Sequence, residues 1–104
     1  MKVFTRDDFN GHNTIHNGLV LVDFYADWCG PCKMLTPILE DLSNDRKDVL
    51  FAKINVDEFP DVAAAFKVTT IPTMLIFNNG KLIANSLGFQ PKNSIERILN
   101  AIEI

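Results

Sequence analysis

The spacing of apolar residues along this chain predicts strands alternating with helices. Residues 19–25 are apolar at all but one position, which predicts a strand covered on both faces. A similar run over 49–56 predicts a second strand. Beyond Cys32, apolar residues recur at intervals of three and four, as on a helix with one buried face. Pro37 predicts a kink in that helix because it has no N–H to donate to the preceding turn.

The N-terminal segment predicts a short first helix after a weak strand. Thr5 and Asp8 have the spacing of a capping box, in which side chains satisfy the first free N–H groups of a helix. Asn17-Gly18 would end this helix. Gly11 lowers the helical propensity of its middle, so we expect an irregular element.

The second half of the chain predicts a short helix, a hairpin and a last helix. Residues 62–66 fit a short helix, and apolar residues over 95–102 form a single helical stripe. Between them, strands at 74–77 and 81–87 flank Asn78-Asn79-Gly80, and Asn-Gly is the strongest short signal for a two-residue hairpin turn. The whole order is β-α-β-α-β-α-β-β-α.

This order predicts an α/β protein with a central mixed sheet of four to five strands flanked by about four helices. The chain has 104 residues without a linker or repeat, so we expect a single domain over 1–104. Its 47% hydrophobic and 22% charged residues are ordinary for a soluble globular protein.

Charge and N-terminal composition exclude several functions. The net charge is −3 and the largest basic cluster is Arg46-Lys47, so nucleic-acid or membrane-surface binding has no electrostatic support. The N-terminus lacks the apolar core of a signal peptide, and the run over 19–22 is too short to cross a bilayer. We therefore expect a cytoplasmic protein, in which a permanent disulfide is uncommon.

The two cysteines, Cys29 and Cys32, are the candidate chemistry. Such a pair can form a structural disulfide, supply half of a metal site, or cycle between dithiol and disulfide as a catalyst. A disulfide that closes so short a loop adds only about 2 kcal/mol in the loop-entropy model. A zinc site needs four ligands, and His12 and His16 are the remaining soft candidates, for which two surface histidines is the simpler interpretation.

Helix phase gives the two cysteines different environments. Counting back from Leu35 and Leu39 along the apolar stripe reaches Cys32, which should face inward. Cys29 precedes the first turn, where unpaired N–H groups and the helix dipole stabilise a thiolate. We therefore expect Cys29 to be exposed and to attack as the nucleophile, and Cys32 to be the resolving thiol.

The two residues between the cysteines suit this arrangement. Pro31 fits the first helical turn, where its missing N–H has no partner to lose. Gly30 leaves the approach to the sulfur open. Together they are expected to tune how readily the disulfide is reduced. The pair also follows the carboxyl end of a central strand, where open α/β sheets usually place their sites.

The segment 22–33, Val-Asp-Phe-Tyr-Ala-Asp-Trp-Cys-Gly-Pro-Cys-Lys, resembles the active-site segment of the thioredoxin family. Thr70-Ile71-Pro72-Thr73 resembles the family's cis-proline loop, and Asn79-Gly80 and Gly88 fall at matching later positions. The resemblance covers essentially the whole chain. It implies the thioredoxin fold and a protein-disulfide reductase that works through a reversible Cys29–Cys32 disulfide and contributes to cell redox homeostasis.

The resemblance also implies roles for two charged residues. An acid such as Asp23 inside an apolar strand should have a raised pKa unless it is paired. In the family the matching aspartate lies beneath the disulfide, so Asp23 would accept the proton of Cys32; the alternative is a solvated residue at a strand end. Lys53 matches a family lysine that interacts with this aspartate, although it could be an ordinary outward-facing strand residue.

A substrate-docking surface follows from the same resemblance. It implies a cis peptide bond before Pro72, with Ile71 and Pro72 against the disulfide and an extended substrate paired with the backbone beside them. The docking residues would be Trp28, Gly30, Pro31, Ile71, Pro72 and Gly88, with Leu87 and Phe89 as further candidates. Trp28 and Ile71 could instead be core residues.

The chain departs from the family pattern at Tyr25, where many members carry tryptophan, and at Thr69-Thr70, which leaves partner preference open.

The implied partners are disulfide-containing proteins and a separate flavin enzyme, thioredoxin reductase, which would supply electrons from NADPH. The chain itself would be a monomer without a bound cofactor or metal. Two alternatives remain: a disulfide oxidase or isomerase, whose family relatives usually carry a histidine between the cysteines, and a non-enzymatic binding subunit.

Overall fold

A computed structural model describes residues 1–10 and 14–102. The five strands are β1 (Lys2–Val3), β2 (Leu19–Tyr25), β3 (Val49–Asn55), β4 (Thr73–Asn78) and β5 (Lys81–Leu87). The three α-helices are α1 (Gly30–Asp45), α2 (Pro60–Ala65) and α3 (Lys92–Asn100). Two 3-10 turns, Arg6–Phe9 and Thr14–His16, precede β2. The predictions for Gly11 and His12 lie outside the described residues.

The strands form one mixed sheet in the order β1-β3-β2-β4-β5. β2 lies at its centre, parallel to β3 and antiparallel to β4. β1 joins β3 in parallel, and β5 joins β4 in antiparallel. The predicted mixed sheet is confirmed, and β2 has the predicted bounds because nearly all of its side chains are buried between two cores.

Each face of the sheet carries its own apolar core. Side chains alternate between the faces of a strand, so Leu19 and Leu21 of β2 pack under α1 and α3, and Val20 and Val22 pack on the opposite face. The core under α1 and α3 includes Leu35, Leu39, Leu42, Ile95 and Leu99. By the same alternation Asp23 projects from the face that α1 covers, which places an acid under the helix that begins with the cysteines.

The prediction of one first helix is wrong for the described residues. Asp8 accepts the N–H of Thr5 at 2.8 Å, as the capping box predicts. Asn10 is extended (φ −99°, ψ 140°), so the first turn ends after Phe9 and does not become an α-helix. The described residues therefore contain three α-helices and two 3-10 turns, where about four helices were expected.

The remaining elements follow the sequence pattern closely. α1 runs through Pro37 to Asp45, and the kink expected at Pro37 stays a prediction. The hairpin turn has positive φ angles at both Asn79 (51°) and Gly80 (87°), as a type I′ turn requires. α3 ends at Asn100, two residues before the end of the predicted stripe.

Candidate active site

The cysteine pair lies where β2 passes into α1. Cys29 is the N-cap of the helix, and its Sγ accepts a hydrogen bond from the backbone N–H of Cys32 at 3.2 Å. Gly30 and Pro31 occupy the first helical positions and are exposed. The cysteines form a disulfide with a Cα–Cα distance of 5.3 Å. The sulfur of Cys29 thus partners one of the N–H groups that a helix N-terminus leaves free.

The two cysteines do not differ in exposure. Cys32 is 2% exposed, in agreement with the helix phase, but Cys29 is only 3% exposed, so the prediction that it is exposed is wrong for this oxidised structure. Both sulfurs share a small apolar cluster with Ala26, and Tyr25 and Ile71 pack against it. Helix phase could not predict this burial because the cover comes from other segments of the chain.

Asp23 is fully buried within β2, which excludes the alternative that it is a solvated residue at the end of a strand. Among the residues that the structure describes, neither of its carboxyl oxygens has a hydrogen-bond partner. Burial raises the pKa of Asp23 to about 7, and the positive charge of Lys53 partly offsets this increase. The acid can therefore be charged or neutral near neutral pH, a property that general acid–base chemistry requires.

Lys53 lies beside Asp23 on the neighbouring strand. The two residues are direct partners in the parallel β2–β3 pairing, so both side chains project from the same face. Lys53 is half-buried, and its Nζ lies 5.1 Å from the centre of the Tyr25 ring. A pocket of about 180 Å³ joins this region to the disulfide; it is lined by Tyr25, Ala26, Asp27, Cys32, Lys33, Thr36 and Lys53.

The loop before β4 completes the surroundings of the disulfide. The Ile71–Pro72 peptide bond is cis, and Ile71 packs against the cysteine cluster. The carbonyl of Pro72 accepts the N–H of Gly88 at 2.7 Å, which holds the end of β5 beside this loop. Thr69 and Thr70 are exposed at its surface. Segments far apart in sequence therefore converge on the cysteines.

Exposed apolar side chains lie on the segments that carry this site. Trp28 is 70% exposed, so it is not a core residue, and its indole N–H donates to Asp57 at 2.9 Å. Leu87 is 63% exposed at the end of β5. Met34 is 59% exposed and was missed in the sequence, although its position four residues after Gly30 puts it on the outward side of α1. The contact between Trp28 and Asp57 has no signal in the sequence.

The described residues contain neither a metal-binding cluster nor a membrane span. Within 1–10 and 14–102, no group of three or more His, Cys, Asp or Glu side chains is placed to hold a metal ion. His12, one of the two histidines weighed as metal ligands, lies outside these ranges. In the same part of the chain, no helix is long and apolar enough to cross a membrane.

The chemistry that this arrangement supports is reversible thiol–disulfide exchange. A cysteine at a helix N-terminus is stabilised as a thiolate, and a second thiol within bonding distance can resolve the disulfide that it forms with another molecule. These features define the class of thiol–disulfide oxidoreductases.

Comparisons with known proteins give the family within this class. The Thioredoxin family model matches residues 1–101. The thioredoxin of Chlamydia caviae is 44% identical over 100 residues, covering 96% of each chain, and that of Staphylococcus haemolyticus is 43% identical over 103 residues, covering 96% of this chain and 97% of its own. Oxidised mitochondrial thioredoxin 3 from Saccharomyces cerevisiae matches with a TM-score of 0.88 at 36% identity, covering 98% of this chain and 95% of that one.

The chain belongs to the thioredoxin family, and its mixed sheet with flanking helices is the thioredoxin fold. Family, fold and the Cys29–Cys32 pair together support a thiol–disulfide reductase activity. They do not favour an oxidase, an isomerase or a non-enzymatic binding subunit.

Proposed function

We propose that this protein reduces disulfides in other proteins, with Cys29 as the attacking nucleophile and Cys32 as the resolving thiol. The observation that carries the assignment is the N-cap position of Cys29, whose sulfur accepts the backbone N–H of Cys32 at 3.2 Å. Once the disulfide is reduced, the same N–H and the helix dipole stabilise a thiolate on Cys29. Cys32 lies one turn into the helix and lacks this position.

The reaction proceeds by two exchanges. The Cys29 thiolate attacks one sulfur of the target disulfide, the target S–S bond breaks, and the other target sulfur leaves as a thiolate. The Cys32 thiolate then attacks the Cys29 sulfur in the mixed disulfide and displaces the second target sulfur. Two electrons have passed to the target, and Cys29 and Cys32 are left as a disulfide.

Asp23 is the proposed proton acceptor for Cys32. It projects from the face of the sheet that α1 covers, and burial raises its pKa to about 7. A carboxylate near this pKa can take the thiol proton and release it again between turnovers. Lys53, its neighbour on β3, favours the ionised form of Asp23 and lines the pocket beside Cys32.

Docking of the target is assigned to the apolar surface around the disulfide. The proposed contacts are Trp28, Ile71, Pro72 and Gly88, and an extended target segment would pair with the backbone beside Pro72. Gly30 and Pro31 would tune the reducibility of the disulfide. A Cβ added to Gly30 would meet no atom within 4 Å, which is consistent with an open approach to the sulfur.

The proposed recycling partner is a separate thioredoxin reductase, a flavin enzyme that passes electrons from NADPH to Cys29–Cys32. The chain would then be an electron carrier with no cofactor of its own. We further propose that residues 1–104 act as one domain and as a cytoplasmic monomer, contributing to cell redox homeostasis. A net charge of −3 supports protein partners over nucleic acid or a membrane surface.

The test is turnover of insulin disulfides with NADPH and a thioredoxin reductase. The proposal requires NADPH oxidation that depends on this protein and is lost when both cysteines are changed to serine. If the native protein supports insulin reduction neither with NADPH and reductase nor with dithiothreitol as a chemical reductant, the proposed function is wrong. If it supports reduction with dithiothreitol but not with NADPH and reductase, only the proposed recycling partner is contradicted.

A further inference from the structure

Tyr25 and Lys53 form a contact that the proposed mechanism does not use. The Lys53 Nζ lies 5.1 Å from the centre of the Tyr25 ring. An ammonium group over an aromatic face is attracted by the negative face of the ring. Both residues line the pocket next to Cys32. The ring therefore restrains the charged end of a long, flexible side chain that lines the same pocket as Cys32.

The position of this ammonium matters because of Asp23. The carboxyl group of Asp23 is buried and has no hydrogen-bond partner within 1–10 and 14–102, so Lys53 acts on it through space and not through a direct bond. A through-space interaction depends on the distance between the charges and on how much water separates them. The free lysine side chain has a four-carbon stem and a strongly hydrated head that would otherwise extend into solvent.

We propose that Tyr25 is a positioning residue of this reaction: its ring holds the Lys53 ammonium at the pocket beside Cys32, where the positive charge favours the ionised form of Asp23. This inference rests on the proposed role of Asp23 as proton acceptor. Tyr25 does not itself touch the proton; it acts through Lys53.

The other charged groups around Asp23 leave Lys53 as its main cationic neighbour among the described residues. On β4 the partner of Asp23 is Met74, which is uncharged. From α1, Cys32 and Lys33 line the pocket, and Asp27 lines it from the loop before α1. Lys33 is exposed, and Lys53 is the cation that lowers the pKa of Asp23.

The Tyr25 ring works as a neutral aromatic face. Burial, followed by the negative charges of Asp27, Glu58 and Asp23, raises the pKa of Tyr25 above its usual value of 10. The phenol therefore stays protonated throughout the range in which Asp23 titrates. Any aromatic ring at this position should then hold Lys53, whereas an aliphatic side chain should not.

The experiment is a carbon-13 NMR titration of the Asp23 carboxyl group in the oxidised full-length protein. The expected result is a higher pKa of Asp23 in Tyr25→Leu than in the native protein, with Tyr25→Phe and Tyr25→Trp close to native. By the size of cation–π interactions, the ionisation constant of Asp23 should fall roughly two- to five-fold in Tyr25→Leu. The rate at which the mixed disulfide is resolved at pH 7 should decrease with it.

A Lys53→Met background separates positioning from packing. There, Tyr25→Leu should cause no further change in the pKa of Asp23, because the cation that the ring holds is gone. The proposal is overturned if Tyr25→Leu titrates like the native protein, or if its effect persists undiminished in Lys53→Met. Tyr25→Met, which fills a similar volume with a flexible side chain, serves if Tyr25→Leu does not fold.

A measurement on the native protein gives an independent check. The Hε protons of Lys53 should be shifted upfield by the ring current of Tyr25, and the shift should disappear in the aliphatic variants. Absence of that shift in the native protein would also contradict the proposal. Both measurements use the resting oxidised protein, so they are decided without reference to whether it reduces insulin.

Discussion

Asp23 and Lys53 are direct partners across the parallel β2–β3 pairing, yet no hydrogen bond joins the Asp23 carboxyl group to Lys53 or to any other described residue. An acid buried in this way is neutral or charged according to pH, and it costs stability when charged. This relationship gives the clearest measurable consequences of the structure.

Stability should decrease as pH rises through the range in which Asp23 ionises. The pKa of Asp23 is about 7 in the folded protein, against 3.8 for an aspartate that is free in water, as in the unfolded chain. Well below pH 3.8 both states bind the proton, so Asp23 has no effect on the free energy of unfolding. As pH rises towards 7, the unfolded state releases the proton first and is therefore favoured. The free energy of unfolding falls by roughly 3–5 kcal/mol over this range and is constant at higher pH, where both states are ionised.

Urea unfolding of the oxidised protein at about pH 3 and about pH 8, on either side of both pKa values, measures this effect. Asp23→Asn should match the native protein at the lower pH and be more stable at the higher pH. The exposed Glu40→Gln on α1 is the control and should keep the native pH profile. An Asp23→Asn difference that is the same at both pH values would contradict the assignment.

Loss of the Asp23 carboxyl group should also slow the second exchange. Asp23→Asn keeps the size of the side chain but cannot accept a proton. Resolution of the mixed disulfide by Cys32 should therefore slow roughly 10- to 100-fold near pH 7, which is at or below the low end of the rate contributions typical of general bases. Rapid mixing with a fluorescent target disulfide follows this step. Raising the pH towards the pKa of the Cys32 thiol should restore most of the rate, and a defect that does not respond to pH would point to altered packing.

The two cysteine variants should behave differently. Cys32→Ser should accumulate a stable mixed disulfide with a target protein, because nothing displaces the target from Cys29. Cys29→Ser should form none. Non-reducing electrophoresis and intact mass measure both. If Cys29→Ser reduced insulin at the native rate, the assignment of the nucleophile would be wrong.

The hydrogen bond from Trp28 to Asp57 should support docking. Asp57→Ala removes the acceptor at 2.9 Å and frees a side chain that is 70% exposed, so the KM for a protein substrate should rise roughly two- to ten-fold with little change in kcat. Trp28 is the one tryptophan of the chain, so its fluorescence reports the loss directly. Asp48→Ala, an exposed acid paired with Arg46, is the control. Equal KM values for both variants would exclude this role.

Gly18 and Gly88 offer a matched test of the hydrogen bond between Gly88 and Pro72, which holds the end of β5 beside the loop before β4. Their φ angles are +76° and +79°, and a Cβ on either would meet no atom within 4 Å, so Gly→Ala should cost each site a similar backbone penalty of roughly 1–2 kcal/mol. Only Gly88 donates its N–H to Pro72 beside the disulfide. Thermal unfolding should therefore give similar losses, while the KM for insulin should rise in Gly88→Ala alone. A rise in both variants would indicate a general loss of structure.

The fold could be predicted where one physical signal dominated. β2 was predicted with its observed bounds because almost every side chain is buried, and Cys32 was predicted inward because its helix has one clear apolar stripe. The burial of Cys29 was missed because Ile71, which packs on the disulfide, comes from a distant loop. The stacking of Lys53 on Tyr25 depends on the pairing register of two strands, which no local pattern in the sequence specifies.

The cover over the cysteines is synthesised well after the cysteines themselves. Ile71 reaches the disulfide only when β4 pairs with β2, and Gly88 reaches Pro72 only when β5 has joined β4. A chain that is still emerging from the ribosome therefore presents Cys29 and Cys32 as uncovered thiols. Burial of both cysteines is therefore a property of the completed sheet, and chains that end before β4 should expose both thiols to solvent.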